Sequence, residues 1–469
     1  NGLHEIDQEV SFDASGDLLL VKTLDGDIGT YNMPKRQQAA DWAELVAGVI
    51  ADTRRQSPEL TDASDDDIYA VVFDALLDDL DEFSRYVGPS NAENERANRD
   101  GYGGIGIVLD MDEEGRPQVR EVFPGGPAED AGIPSNSRIL TVDGTTVIGL
   151  SLDELGTMMR GPANSLVTIS LAHPDGEERN YRLRRRRVVP NAVTGQLDEG
   201  FAVVQVSRFN AATTEHLSNM ILRLSQEHSG SLNGIILDLR GNPGGLLGQS
   251  VSVADLFIGS GDIIATRGRN PASVEVYRAK TNDVTGGLPM AVLIDGRSAS
   301  ASEVVAAALQ DAGRAVLIGG SSYGKGSVQT VTRLPNNGEL FLTWSELYTP
   351  SGITLHRQGV LPTICTTGVD ISGLAKAEDV PYTYPEALSV VWEWRMRAAR
   401  DTNAMQKLRA LCPALPHAVD LDIDVAKQLL ADSDLYAQAI SNAGRDFIAM
   451  SPAPFGVGAD EAAADPVDG

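Results

Sequence analysis

The sequence predicts a multidomain α/β protein, and three features carry that prediction. Between residue 188 and about residue 370, apolar runs such as Ile235-Ile236-Leu237 and Ala291-Val292-Leu293-Ile294 alternate with stretches of helical spacing. This is the pattern of helices packed on a mostly parallel sheet. Residues 101–187 hold a second pattern, of short strands, glycine turns and one helix. Helical runs flank both regions. A length of 469 residues agrees, because it exceeds one ordinary core and suggests about three domains.

The expected divisions are 1–95, 96–187, 188–370, 371–452 and 453–469. In the first, residues 8–32 read as a short β meander around Leu18-Leu19-Leu20-Val21, with a turn at Asp25-Gly26. Helical spacing follows at Trp42, Leu45, Val46 and Ile50, and again at Ile68, Val71, Val72 and Leu76. The polar stretch 56–67 separates these runs, and the charged stretch 91–100 reads as a boundary. In the second division, Gly101 to Leu109 is a glycine-rich loop entering a strand, and Leu152, Leu155, Met158 and Met159 share a helical face. The third has strands over 201–206, 234–239, 290–294 and 315–318, helices over 214–226 and 302–312, and an antiparallel pair around Asn336-Asn337-Gly338. Helical runs 384–411 and 425–450 form the fourth, and the Ala-, Asp- and Gly-rich tail 453–469 is expected to be disordered.

Composition narrows the function. The formal net charge of −28 argues against a nucleic-acid partner, since phosphate recognition needs clustered cations. The basic run Arg184-Arg185-Arg186-Arg187 reads as an exposed strand and linker. No window approaches the roughly 18 uninterrupted apolar residues of a membrane span. The polar opening NGLHEIDQEV shows no signal peptide, as expected of a mature form. Cys365 and Cys412 permit either redox compartment, and a bond between them would favour an extracytoplasmic one. The six histidines are scattered and no HExxH occurs, which disfavours a zinc protease; no metal or organic cofactor is expected.

Two segments carry the candidate chemistry, SASASEVVAAALQD at 298–311 and SSYGKGSVQ at 321–329. A serine hydroxyl is a weak nucleophile until a base takes its proton, and lysine is one such base. Ser300 also matches a capping box with Glu303, which alone would make it a helix cap. The balance shifts because a buried strand delivers the serine to a helix N-terminus, where free N–H groups favour developing negative charge. Lys325, flanked by Gly324 and Gly326, follows the next strand. To act as a base it must lose about 3 units of pKa, roughly 4 kcal/mol, through burial. Gln329 is placed to orient the amine, its alternative being an ordinary strand residue. The turn Arg240-Gly241-Asn242-Pro243-Gly244-Gly245 precedes a helix and offers a backbone N–H to pair with that of Ala301. Each such donor is worth about 3 kcal/mol in a transition state. Asp238, Arg240 and Asn242 are expected to brace the turn.

These three segments, in order and register, resemble the motifs of the C-terminal processing (tail-specific) serine proteases. The resemblance extends to Leu80-Asp81-Glu82-Phe83-Ser84-Arg85-Tyr86 and to Gln358-Gly359-Val360-Leu361-Pro362, and so covers about residues 70–370. It implies an α/β protease core of crotonase-like type, with an inserted PDZ domain and helical N- and C-terminal segments. It also implies Ser300 as nucleophile, Lys325 as general base, Gln329 as its orienter, and Gly244 with Ala301 as the oxyanion hole.

Residues 101–187 resemble the inserted PDZ domain, which binds a peptide as an added strand and holds its terminal carboxylate on loop N–H groups. Gly104, Ile105, Gly106 and Ile107 match that loop, and Leu155 and Met159 with Met158 line the side-chain pocket or fill the core. The chain departs from the family at Asn136-Ser137-Arg138-Ile139 and at Ala163-Asn164-Ser165, which bears on loop shape and peptide preference. Arg160, in Met159-Arg160-Gly161, is implied as a sensor of bound carboxylate; complementing the helix dipole is its other role.

The resulting expectation is an endopeptidase that takes protein or peptide C-termini as substrate in the periplasm or as a secreted protein. An adaptor protein and a homodimer are further expectations. Two other functions stay open at this point. One is a catalytically silent or adaptor-dependent PDZ peptide-binding scaffold, and the other is an acyl-transfer enzyme on a non-peptide substrate.

Overall fold

The computed structural model describes residues 2–24, 26–35, 38–228, 230–367, 388–416 and 420–441. The expected disordered tail 453–469 lies outside the described residues, as do parts of the two C-terminal helical runs. Two compact units divide the chain: residues 1–95 with 329–344, and residues 96–328 with 345–469.

In the first unit, strands Ser11–Ser15, Leu18–Thr23 and Gly26–Asn32 form the antiparallel meander. Helices Ala39–Gln56 and Asp65–Leu77 follow, with a short helix Pro58–Asp62 in the stretch read as a polar separator. Ser57 caps that short helix and Pro58 opens it, a start signal with little apolar spacing behind it. The charged stretch expected as a boundary is helical, Pro89–Asp100. Its buried positions are Ala92 and Ala97, too small and too few to leave an apolar period in the sequence.

The second unit contains both the middle unit and the α/β core. The middle unit is an antiparallel sheet in the order Glu178–Arg184, Leu166–Ala172, Arg138–Val142, Pro117–Val122, Ile107–Met111. Ile107–Met111 ends that order, and helix Leu152–Met159 packs beside it. The basic run departs from its expected exposure at Arg185, which is buried. Its guanidinium donates to the carbonyls of Met158, Met159 and Leu166 and to Ser165 Oγ, tying the end of the helix to the neighbouring strand.

In the core, one sheet runs in the order Val193–Asp198, Phe201–Val206, Gly234–Asp238, Met290–Ile294, Val316–Gly319, Ile364–Cys365. Its first pair is antiparallel and the rest are parallel. Side chains alternate between two apolar layers, as a period of two demands. Ile235, Leu237, Val292 and Leu317 face one layer with helices Thr213–Glu227, Leu247–Asp255 and Ala301–Asp311. Ile236, Leu293, Val316 and Ile318 face the other, covered by helices Asp420–Ala431 and Ser433–Ile440. Both faces are dry, which explains the uninterrupted apolar runs. Strands Asp262–Arg267 and Glu275–Arg278 form a separate antiparallel ribbon, joined by Asp262–Arg267 to the C-terminal part of Glu339–Tyr348. The disulfide Cys365–Cys412 fastens the last strand of the sheet to the end of helix Thr402–Leu411.

Candidate active site

Three adjacent parallel strands, Gly234–Asp238, Met290–Ile294 and Val316–Gly319, release three loops at the same edge of the sheet. These are the glycine turn 239–246, the serine loop 295–300 and the lysine loop 320–326. Loops beyond the carboxyl ends of parallel strands are where such sheets build their sites.

Ser300 sits at the N-cap of helix Ala301–Asp311 with φ 54° and ψ −110°. A positive φ in a residue with a Cβ is strained by about 1–3 kcal/mol and persists only where its surroundings enforce it. The enforcing group is Glu303, a fully buried carboxylate. Its Oε2 accepts from the Ser300 N–H at 2.6 Å and from the Lys325 N–H at 2.9 Å. Its Oε1 accepts from the Gly324 N–H at 2.7 Å and the Ser322 hydroxyl at 2.5 Å. One side chain therefore binds the backbones of the serine and the lysine side by side. Burial pushes the Glu303 carboxyl above its ordinary range, against the opposing pull of its four donors. The Tyr323 N–H donates to Ser298 O at 3.0 Å, a further tie between the two loops.

The glycine turn docks onto the serine loop through Asn242. Its carbonyl accepts from the Ala299 N–H and the Ser302 hydroxyl, and its Nδ2 donates to Val206 O. Gly244 and Gly245 have φ 103° and 146°. A Cβ on Gly245 would lie 2.0 Å from Phe209 O, and one on Gly244 2.7 Å from Ala299 O and 2.9 Å from Ser300 Cβ. The Gly244 N–H donates to Asn242 Oδ1 at 2.8 Å. Ala301 is buried at the first turn of the serine helix. Arg240 braces the turn from behind, paired with Asp238 and with Asp422 at 2.7 and 2.9 Å.

Gln329 lies in the other compact unit, where its Nε2 donates to Phe83 O. In that unit Asp81 accepts from the N–H groups of Phe83 and Ser84 and from the hydroxyls of Ser84 and Thr343.

In the middle unit, the Gly106 and Ile105 carbonyls accept from Phe123 N–H and Ala128 N–H, and Gly104 pairs with Arg186. Ile105, Ile107, Leu155 and Met159 are buried in one apolar cluster, with half-buried Met158 packed against it. The Arg160 guanidinium lies 4.8 Å from the centre of the Tyr102 ring. The roles of Glu303 and Asn242 in joining the three loops were not legible beforehand. The signs were Glu303's place in the capping box and the expected bracing of the turn by Asn242. Among the described residues no cluster of three or more His, Cys, Asp or Glu has the arrangement of a metal site, and no helix is long and apolar enough to cross a membrane.

Comparison with known proteins agrees with this architecture. Residues 200–366 match the peptidase family S41 model and residues 118–172 match a PDZ domain. The carboxy-terminal-processing protease of Bartonella bacilliformis is 36% identical over 314 residues, covering 66% of this chain and 72% of that protein. The carboxyl-terminal-processing protease of Synechocystis sp. is 31% identical over 296 residues, covering 61% and 68%. Among solved structures, a photosystem II D1 C-terminal processing protease shares 30% identity over 64% of this chain and 81% of that one, with a TM-score of 0.38.

Proposed function

Because the chain belongs to peptidase family S41, among the carboxy-terminal-processing proteases with a PDZ domain, we propose that Ser300 is its nucleophile and Lys325 its general base. Ser300 Oγ attacks the amide carbonyl while the Lys325 amine accepts its proton and returns it to the leaving amine. Water then resolves the acyl-enzyme. The oxyanion is met by the Ala301 N–H and by the second turn glycine, Gly245, since the amide of Gly244 is already engaged by Asn242.

The observation that carries this proposal is the shared carboxylate oxygen of Glu303, which takes the N–H groups of both Ser300 and Lys325. A helix cap alone requires no link to a glycine-flanked lysine from the next strand. Peptide C-termini enter through the PDZ domain, where strand Ile107–Met111 ends the sheet order and is suited to strand addition. Arg160, beside Tyr102, meets the terminal carboxylate. The Cys365–Cys412 bond supports an oxidising compartment, periplasmic or extracellular. An adaptor or a second copy of the chain remains part of the proposal.

The test is labelling by a fluorophosphonate probe together with mass spectrometry of products from peptides with free and amidated C-termini. Wild type is expected to label and to cut the free-carboxylate peptide. Ser300→Ala should do neither, and Lys325→Ala should lose turnover. Wild-type turnover in Lys325→Ala would overturn the assignment of the base.

A further inference from the structure

The lysine loop is held from outside by a residue that the chemistry above does not use. Arg409 stands on helix Thr402–Leu411, and its guanidinium donates to three backbone carbonyls. Nη1 reaches Ser322 O at 2.8 Å, and Nη2 reaches Tyr323 O at 2.6 Å and Arg357 O at 2.7 Å. Ser322 and Tyr323 immediately precede Gly324-Lys325. Arg357 is the residue whose N–H donates to Gly324 O at 2.8 Å, and it holds a strained φ of 63°. One planar, permanently charged fork thus fixes both sides of the turn that presents Lys325.

The same helix is pinned one turn further on. Cys412 is bonded to Cys365, and Cys365 pairs with Gly319 at the end of the strand that launches the lysine loop. Leu361, Val391, Ala398, Leu408 and Cys412 pack together beneath the helix, and Thr367 Oγ1 donates to Pro413 O at 2.8 Å. Cys365 is partly exposed while Cys412 is buried.

We infer that Arg409 is a positioning residue for the Lys325 loop and that the Cys365–Cys412 disulfide holds Arg409 in place. Opening that bond then lowers turnover. A dithiol breaks the S–S bond, giving two electrons and two protons to Cys365 and Cys412 while it closes to its own disulfide. The helix end then loses its covalent tie to the strand beside the loop. The loop slackens, and a misplacement of about 1 Å is enough to cost about a hundredfold in rate.

The inference rests on Lys325 being the base, and its test has an arm independent of activity. Wild type, Arg409→Ala, Arg409→Lys and the Cys365→Ser/Cys412→Ser double variant are compared, with and without dithiothreitol. The readouts are kcat and KM on a fluorogenic peptide with an apolar free C-terminus, and amide hydrogen exchange over residues 322–326. Arg409→Ala is expected to lower kcat about tenfold or more with KM within about twofold, and to speed exchange in the loop. Arg409→Lys is expected to recover part of kcat, since an ammonium reaches fewer carbonyls. Dithiothreitol is expected to lower kcat and speed loop exchange in wild type, and to add nothing in Arg409→Ala or in the double serine variant. Loop exchange unchanged in Arg409→Ala overturns the positioning role, whatever the peptidase activity. Equal sensitivity of wild type and Arg409→Ala to dithiothreitol overturns the link to the disulfide. If Lys325→Ala keeps wild-type turnover while loop exchange responds as expected, the base assignment fails and the brace stands.

Discussion

Replacing Glu303 by glutamine keeps its shape and turns one oxygen into an NH2, so the outcome follows from which donors lose their acceptor. Oε2 serves the Ser300 and Lys325 N–H groups, and Oε1 serves the Gly324 N–H and the Ser322 hydroxyl. The amide carbonyl is best placed on the Oε2 side, because on the other side the Ser322 hydroxyl is able to turn and accept. The Gly324 N–H then faces a donor, a loss of about 1–3 kcal/mol. The bonds to Ser300 and Lys325 weaken by about 1 kcal/mol each as their acceptor becomes neutral. Removing a buried carboxylate returns several kcal/mol of desolvation, on the order of the sum of these losses. Global stability should therefore move by less than about 2 kcal/mol while the alignment of the two loops degrades. Displacement by about 1 Å is enough to reduce rate about a hundredfold.

The pH dependence gives a second signature of the same variant. A carboxyl raised in the folded state holds its proton longer than in the unfolded chain. Its stabilising contribution is therefore complete below the ordinary glutamate range and is lost as pH rises through the raised value. Wild type should lose stability relative to Glu303→Gln across that window. The assay pairs steady-state kinetics on the fluorogenic peptide with thermal unfolding at several pH values. A glutamine variant with wild-type kcat refutes the aligning role, and a flat stability difference across pH refutes the raised carboxyl.

Three other outcomes are expected. Ser300→Gly should be more stable than Ser300→Ala by about 1 kcal/mol in urea unfolding, because glycine adopts φ 54° without strain; an alanine variant of equal or greater stability contradicts the enforced backbone. Gly244→Ala brings a methyl within 2.9 Å of Ser300 Cβ and should slow fluorophosphonate labelling at least tenfold, whereas an unchanged rate shows that the turn yields freely. Asp422→Ala leaves Arg240 paired with Asp238 but takes the acceptor from its Nη1 and from the Thr366 hydroxyl, and should lower unfolding free energy by about 1–3 kcal/mol; an unchanged value contradicts a load carried by Asp422.

Much of the core was legible because its strands are dry on both faces. Runs such as Ile235-Ile236-Leu237 and Met290 to Ile294 admit few other interpretations, and each is followed by a turn signal and a helix. The helix over Pro89–Asp100 escaped because two alanines make its buried positions, and strand Glu275–Arg278 because it is four residues long. At the site, the capping box of Ser300 and Glu303 was visible, but its second use was not. A carboxylate's reach to Gly324 and Lys325 depends on how neighbouring strands bring loops together, which local spacing does not encode. For the same reason the resemblance pointed to Gly244, since what separates it from Gly245 is the side chain of Asn242. Four arginines in a row look solvated, yet Arg185 falls in the break between strands Glu178–Arg184 and Arg186–Val188, where its guanidinium meets the carbonyls of Met158 and Met159.

The two-layer sheet also limits how small a working piece of this chain is able to be. A fragment cut after the last sheet strand would keep every residue proposed for chemistry, yet strip helices Asp420–Ala431 and Ser433–Ile440 from Ile236, Leu293 and Ile318. That bared greasy plane would invite self-association, and Cys365 would be left with no mate. The minimal autonomous catalyst must therefore run to at least Ile440, well past the final residue that touches the proposed chemistry.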